Sequence, residues 1–108
     1  MFLIPFSSLS ENEIAELANE EIKSAQEWEK NIWQFISEWL NPETGSIKIF
    51  TSGSTGSPKQ IEHSKSAMLN SAKMTCTALN LRKGNNALLC LPANKIAGMM
   101  MIVRSIYC

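Results

Sequence analysis

The sequence predicts an α/β layered fold on three observations: a long amphipathic helical pattern opens the chain, short β-favouring runs then alternate with helical ones, and a Gly/Ser/Thr-rich stretch follows the first of those runs directly. Strands that alternate with helices bury their apolar faces by stacking in layers. A chain of 108 residues is long enough for one small domain with a modest core. Residues 1–41 are expected to form a helical leader and residues 47–108 an α/β segment, both within one partial domain spanning 1–108.

The elements follow in order. Ser10 with Glu13 three positions later fits a capping box at a helix start. Apolar residues then recur at steps of three and four, from Ile14, Leu17 and Ala18 through Trp28, Ile32, Phe35 and Ile36 to Trp39 and Leu40, which describes one face of a helix. The pattern is long for one globular helix, so a break is expected near Ser24. Asn41-Pro42 stops it, because proline lacks an N–H and restricts the residue before it. A turn at 42–46 leads into a strand at Ile47–Phe50, and Gln60–His63 reads as a short return strand. A second helix is expected from Ser64, with Met68, Leu69, Ala72, Thr75, Cys76 and Leu79 on one side and Lys83-Gly84 at its end. Ala87–Leu91 reads as a buried strand closed by Pro92, and Ile96–Tyr107 as a third helix, apolar nearly all round.

Composition narrows the partners. Ten basic residues balance ten acidic ones, so no net positive field favours nucleic acid or an anionic membrane, and neither is expected. Met1–Phe6 is apolar but lacks the basic region and cleavage site of a signal peptide, and no apolar run reaches membrane-spanning length. Cys76, Cys90 and Cys108 are odd in number and far apart; they read as reduced thiols, which points to the cytoplasm. The three tryptophans and the Met99–Met101 run read as core packing. The last helix has few elements left to cover it, so the chain is expected to be a piece of a larger domain or to self-associate through that apolar C-terminal helix.

The chemistry concentrates in Thr51-Ser-Gly-Ser-Thr-Gly-Ser-Pro-Lys59. Gly53 and Gly56 permit backbone geometries that other residues resist. Successive N–H groups in such a turn form an anion-binding nest, and the hydroxyls of Ser52, Ser54, Thr55 and Ser57 suit phosphate oxygens. Lys59 adds a flexible point charge beside the nest. A Walker A loop would need Gly-Lys-Ser/Thr where this chain has Pro58, Lys59 and Gln60, and the spacing of Gly53 and Gly56 does not make a dinucleotide fingerprint. A flexible Gly/Ser linker has no need of a strand before it or of Pro-Lys behind it.

Phe50–Lys59 resembles the signature loop of the adenylate-forming superfamily, which includes acyl-CoA synthetases, luciferases and peptide-synthetase adenylation domains. Leu91-Pro-Ala-Asn-Lys-Ile-Ala-Gly-Met-Met-Met-Ile-Val-Arg-Ser105 is similar to the family's segment after a core strand, in particular that of the o-succinylbenzoate–CoA ligases of menaquinone synthesis. The resemblance spans about residues 28 to 106, with the loop its most specific part. It implies an incomplete N-terminal portion of the layered adenylate-forming enzyme fold. It also implies an activity in two steps: a carboxylate attacks the α-phosphorus of ATP, and coenzyme A then displaces AMP from the acyl-adenylate.

On that resemblance, Thr51, Ser52, Ser54, Thr55, Ser57 and Lys59 would hold the ATP phosphates, with Gly53 and Gly56 shaping the loop. Mg²⁺ would neutralise polyphosphate charge, although no metal ligand is assigned on this chain. Lys65 stands where many relatives carry His, and Lys95 where others have an aromatic or His. His63 is the candidate for a catalytic role, along with Lys59. The Mg²⁺ ligand, the adenine and ribose site and a C-terminal lysine lie downstream of the loop in the relatives, so the 108 residues alone are expected to be inactive. Two further readings remain open: a non-catalytic polyphosphate-binding module, and an interaction protein that docks through its last helix.

Overall fold

Ser10 opens the first helix as its spacing predicts: its hydroxyl accepts the Glu13 N–H at 3.2 Å and donates to the Glu13 carboxylate at 3.1 Å. The computed structural model describes residues 4–51 and 56–108. After a single 3₁₀ turn at Phe6–Ser8 come helices α1 (Glu11–Glu21) and α2 (Glu27–Leu40), strands β1 (Ser46–Thr51) and β2 (Lys59–Ser64), and helices α3 (Lys65–Ala78) and α4 (Ile96–Tyr107). The long helical pattern is thus two helices. Ser24 lies in the break between them, and the Ser37 hydroxyl on α2 reaches Asn19 Oδ1 on α1 at 3.0 Å. Asn41 closes α2 ahead of Pro42, as the sequence predicts.

The sheet is a two-stranded antiparallel hairpin, with Ile47 opposite His63, Ile49 opposite Ile61 and Thr51 opposite Lys59. Period-two alternation turns Ile47 and Ile49 into the core and Lys48 and Phe50 out. β2 passes directly into α3: Ser64 is both its last residue and the N-cap of α3, with its hydroxyl accepting the Ala67 N–H at 3.1 Å. One core joins all the helices to the hairpin. It gathers Ile14 and Ala18 of α1, Ile32, Trp33, Phe35 and Ile36 of α2, Met68 and Ala72 of α3, and Met99, Met100, Ile102 and Val103 of α4 around Ile47 and Ile49.

Several expectations are corrected. Ala87–Leu91 is not a buried strand: no described strand pairs with it, and Leu88 is 69% exposed. A continuous apolar run becomes a strand only when a neighbour takes up its ladder hydrogen bonds, and among the described residues none does. The run from Leu79 to Lys83 is not helical. α3 ends at Ala78 because Asn80 takes the left-handed conformation (φ 54°), with Asn80 N–H donating to Thr77 O and Leu81 N–H to Cys76 O. That is a Schellman arrangement with asparagine in the usual glycine position. Gly84, at φ 92°, shapes a later turn instead.

α4 is covered along much of its length. Gly98, Met99, Met100, Ile102 and Val103 are buried. Ile96 and Tyr107, at the two ends of α4, remain exposed, as do Met74, Leu79 and Leu88 elsewhere. Of the tryptophans, Trp33 is buried and Trp39 packs at the core edge, but Trp28 is exposed. The cysteines are not three thiols. Cys76, on the buried face of α3, and Cys108, just past α4, form a disulfide with Cα atoms 6.5 Å apart. Cys90 is the free one among the described residues, and the thiol argument for the cytoplasm loses its basis. No helix of the described residues is long and apolar enough to cross a membrane.

Candidate functional site

The candidate loop closes the β1–β2 hairpin. Its two ends are the final rung of the ladder, Thr51 opposite Lys59. The Thr51 hydroxyl donates to the Lys59 carbonyl oxygen at 3.2 Å, which pins the mouth of the loop shut. Ser52, Gly53, Ser54 and Thr55 lie outside the described residues. Of the remaining positions, Gly56 has φ 95°, a left-handed conformation that disfavours any side chain. This meets the expectation that Gly56 lets the backbone turn as other residues resist. Ser57 and Lys59 are exposed, so a hydroxyl and an ammonium face solvent at the same end of the hairpin.

His63 is exposed and sits opposite Ile47, four residues along β2 from Lys59. At about 3.4 Å per residue that is roughly 14 Å from the loop mouth. The hairpin therefore brings Thr51, Gly56, Ser57 and Lys59 together and leaves His63 near its base. Lys95 is the exposed residue before α4 and its side chain makes no cap there.

Lys65 is the residue whose role sequence reasoning left unassigned. Its ammonium donates to Glu38 O at 2.7 Å, Asn41 O at 2.9 Å and Thr44 Oγ1 at 2.9 Å. Its backbone N–H donates to Gly45 O at 2.9 Å. Glu38 and Asn41 supply carbonyls at the C-terminal end of α2, where a cation is favoured and orphan acceptors need partners. Burial lowers the Lys65 pKa below the ordinary 10.5, and the Glu38 carboxylate opposes that shift. The sequence signal was weak, since a lysine 24 residues from Asn41 announces no helix cap.

The match at the second sequence block also has a physical basis. Gly98 lies against the Leu91-Pro92 backbone so closely that an added Cβ would stand 2.1 Å from the Pro92 carbonyl oxygen. The Ile-Ala-Gly start of α4 thus needs its glycine for backbone contact.

Comparison with known proteins agrees with this arrangement. Residues 7–108 match the family described as AMP-binding enzyme. The chain is 33% identical over 72 residues to a 2-succinylbenzoate–CoA ligase of Haemophilus influenzae, covering 67% of this chain and 15% of that protein. It also superposes on the crystal structure of an acyl-CoA synthetase (AMP-forming)/AMP-acid ligase II-like protein from Dyadobacter fermentans. The TM-score is 0.73 at 35% identity, covering 85% of this chain and 26% of that one. The chain therefore spans about a seventh to a quarter of the length of these relatives. A family match across nearly the whole chain, a shared fold and a glycine-turned loop on a hairpin lead to one conclusion: the chain belongs to the AMP-binding enzyme family.

Proposed function

We propose that this chain is the phosphate-gripping portion of an AMP-forming acid–CoA ligase, with o-succinylbenzoate as the carboxylate. The observation that carries the reading is the hairpin mouth, where Gly56 at φ 95° and exposed Lys59 face solvent in a chain of this family. The ligase of Haemophilus influenzae supports the choice of substrate. In the parent reaction a carboxylate oxygen bonds to the α-phosphorus of ATP, pyrophosphate leaves, and the thiol of coenzyme A then displaces AMP. Loop residues Thr51, Ser52, Ser54, Thr55, Ser57 and Lys59 contribute donors and charge toward the β- and γ-phosphates, with Gly53 and Gly56 shaping their backbone. Mg²⁺ supplies further neutralisation of that charge when bound.

A loop that grips the outer phosphates distinguishes nucleotides by them. ATP and inorganic pyrophosphate should compete for the chain, and AMP should not displace either. AMP competing as well as ATP would contradict the reading. The chain spans a minor part of its relatives, so incubation with ATP, o-succinylbenzoate and coenzyme A should release no pyrophosphate. Clear turnover would overturn the assignment of this chain as one portion of the catalyst.

A further inference from the structure

We propose that Lys65 is the positioning residue of the phosphate loop: it clamps both legs of the β1–β2 hairpin to the end of α2 and is not available to substrate. The inference rests on the reading of Thr51–Lys59 as a phosphate loop.

The geometry accounts for every donor. A lysine ammonium has three N–H groups, and three acceptors converge on this one, at Glu38 O, Asn41 O and Thr44 Oγ1. None is left for a phosphate. The bond from Lys65 N–H to Gly45 O extends the hairpin by one contact beyond the Ser46–Ser64 pair. Side chain and backbone of one residue therefore hold the incoming leg, through Thr44 and Gly45, and the outgoing leg, which Lys65 directly follows in the chain. Both are fixed to α2, whose Ile32, Trp33, Phe35 and Ile36 are buried in the core.

The loop lies at the other end of the same two strands. From Ser46 to Thr51 the hairpin projects roughly 17 Å at about 3.4 Å per residue. A small tilt at the base becomes a larger displacement at the tip, so the clamp sets where the loop stands. Arginine cannot substitute, because its flat guanidinium spreads its donors in a fork where a single nitrogen must serve three convergent acceptors.

The test uses the 108-residue chain. Amide hydrogen exchange is followed by NMR in the wild type and in Lys65→Met, Lys65→Arg and Thr44→Val, and each is titrated with inorganic pyrophosphate. In Lys65→Met the β1–β2 ladder amides should exchange at least about tenfold faster, while Ile32 and Ile36 of α2 keep their protection. Pyrophosphate affinity should fall about tenfold in the same variant, and Lys65→Arg should restore neither quantity. Thr44→Val removes one acceptor and should produce a smaller change of the same kind, which decides the matter should Lys65→Met not fold. Unchanged ladder protection in both variants, full rescue by arginine, or an undiminished pyrophosphate affinity in Lys65→Met would each overturn the proposal. A wild-type chain indifferent to pyrophosphate whose ladder still loosens in Lys65→Met supports the clamp and refutes the phosphate reading.

Discussion

Replacing Gly98 by alanine puts a methyl group where the backbone leaves no room for one. The added Cβ would stand 2.1 Å from the Pro92 carbonyl oxygen, 2.6 Å from its carbon and 3.0 Å from the Leu91 oxygen. All three are main-chain atoms, so no side-chain rotation relieves the clash. In a helix, alanine is favoured over glycine by about 1 kcal/mol. Overpacking costs about 1–3 kcal/mol, and contact this short with fixed atoms belongs at the top of that range. The net loss is about 2 kcal/mol. For a domain of this size that lowers Tm by roughly 8–16 °C. Gly45→Ala is the matched control, since a Cβ there meets nothing within 4 Å. Thermal unfolding followed by far-UV circular dichroism measures both. A Gly98→Ala chain that melts at or above the wild-type temperature would refute the packing of α4 against the Leu91-Pro92 segment.

Three further outcomes follow from the same structure. Alkylation of the native chain without reductant should label Cys90 alone, and reduction should lower stability by about 3–4 kcal/mol, the entropy of opening a loop closed across 32 residues; equal labelling of all three cysteines would contradict the disulfide. Asn80→Ala should cost about 1–2 kcal/mol, because alanine tolerates the left-handed φ of 54° poorly, whereas Asn80→Gly should be tolerated; chemical denaturation distinguishes them. Lys65 makes a pH prediction. Its folded pKa lies below 10.5, so between the two values the unfolded chain holds more protons and this group makes stability rise with pH. Denaturation of the wild type and Lys65→Met across the alkaline range should show that relative rise in the wild type, and a relative fall would contradict it.

The parts of the fold legible in the sequence are those decided by neighbours along the chain. The Ser10–Glu13 cap, the stop at Asn41-Pro42 and the two hairpin strands all rest on local hydrogen bonding or on alternation. What could not be read depends on distant partners. Ala87–Leu91 has the composition of a buried strand, yet strand formation requires a neighbour that composition does not announce. The Cys76–Cys108 bond exists only once α3 and α4 have packed. Asn80 preempted Gly84 as the helix terminator because asparagine also reaches the left-handed region, a weaker signal than glycine. At the candidate site the need for glycine at position 56 was legible. The clamp by Lys65 was not, since its acceptors are main-chain carbonyls that carry no sequence signature.

Thr51–Lys59 is proposed to grip polyphosphate, and calorimetric titration of the chain with inorganic pyrophosphate is the decisive check. Saturable binding at one site is expected, weakening about tenfold to a hundredfold in Lys59→Ala, since a charge-assisted contact is worth about 1.5–3 kcal/mol. Binding of equal strength in the wild type and Lys59→Ala, or none in either, would contradict it.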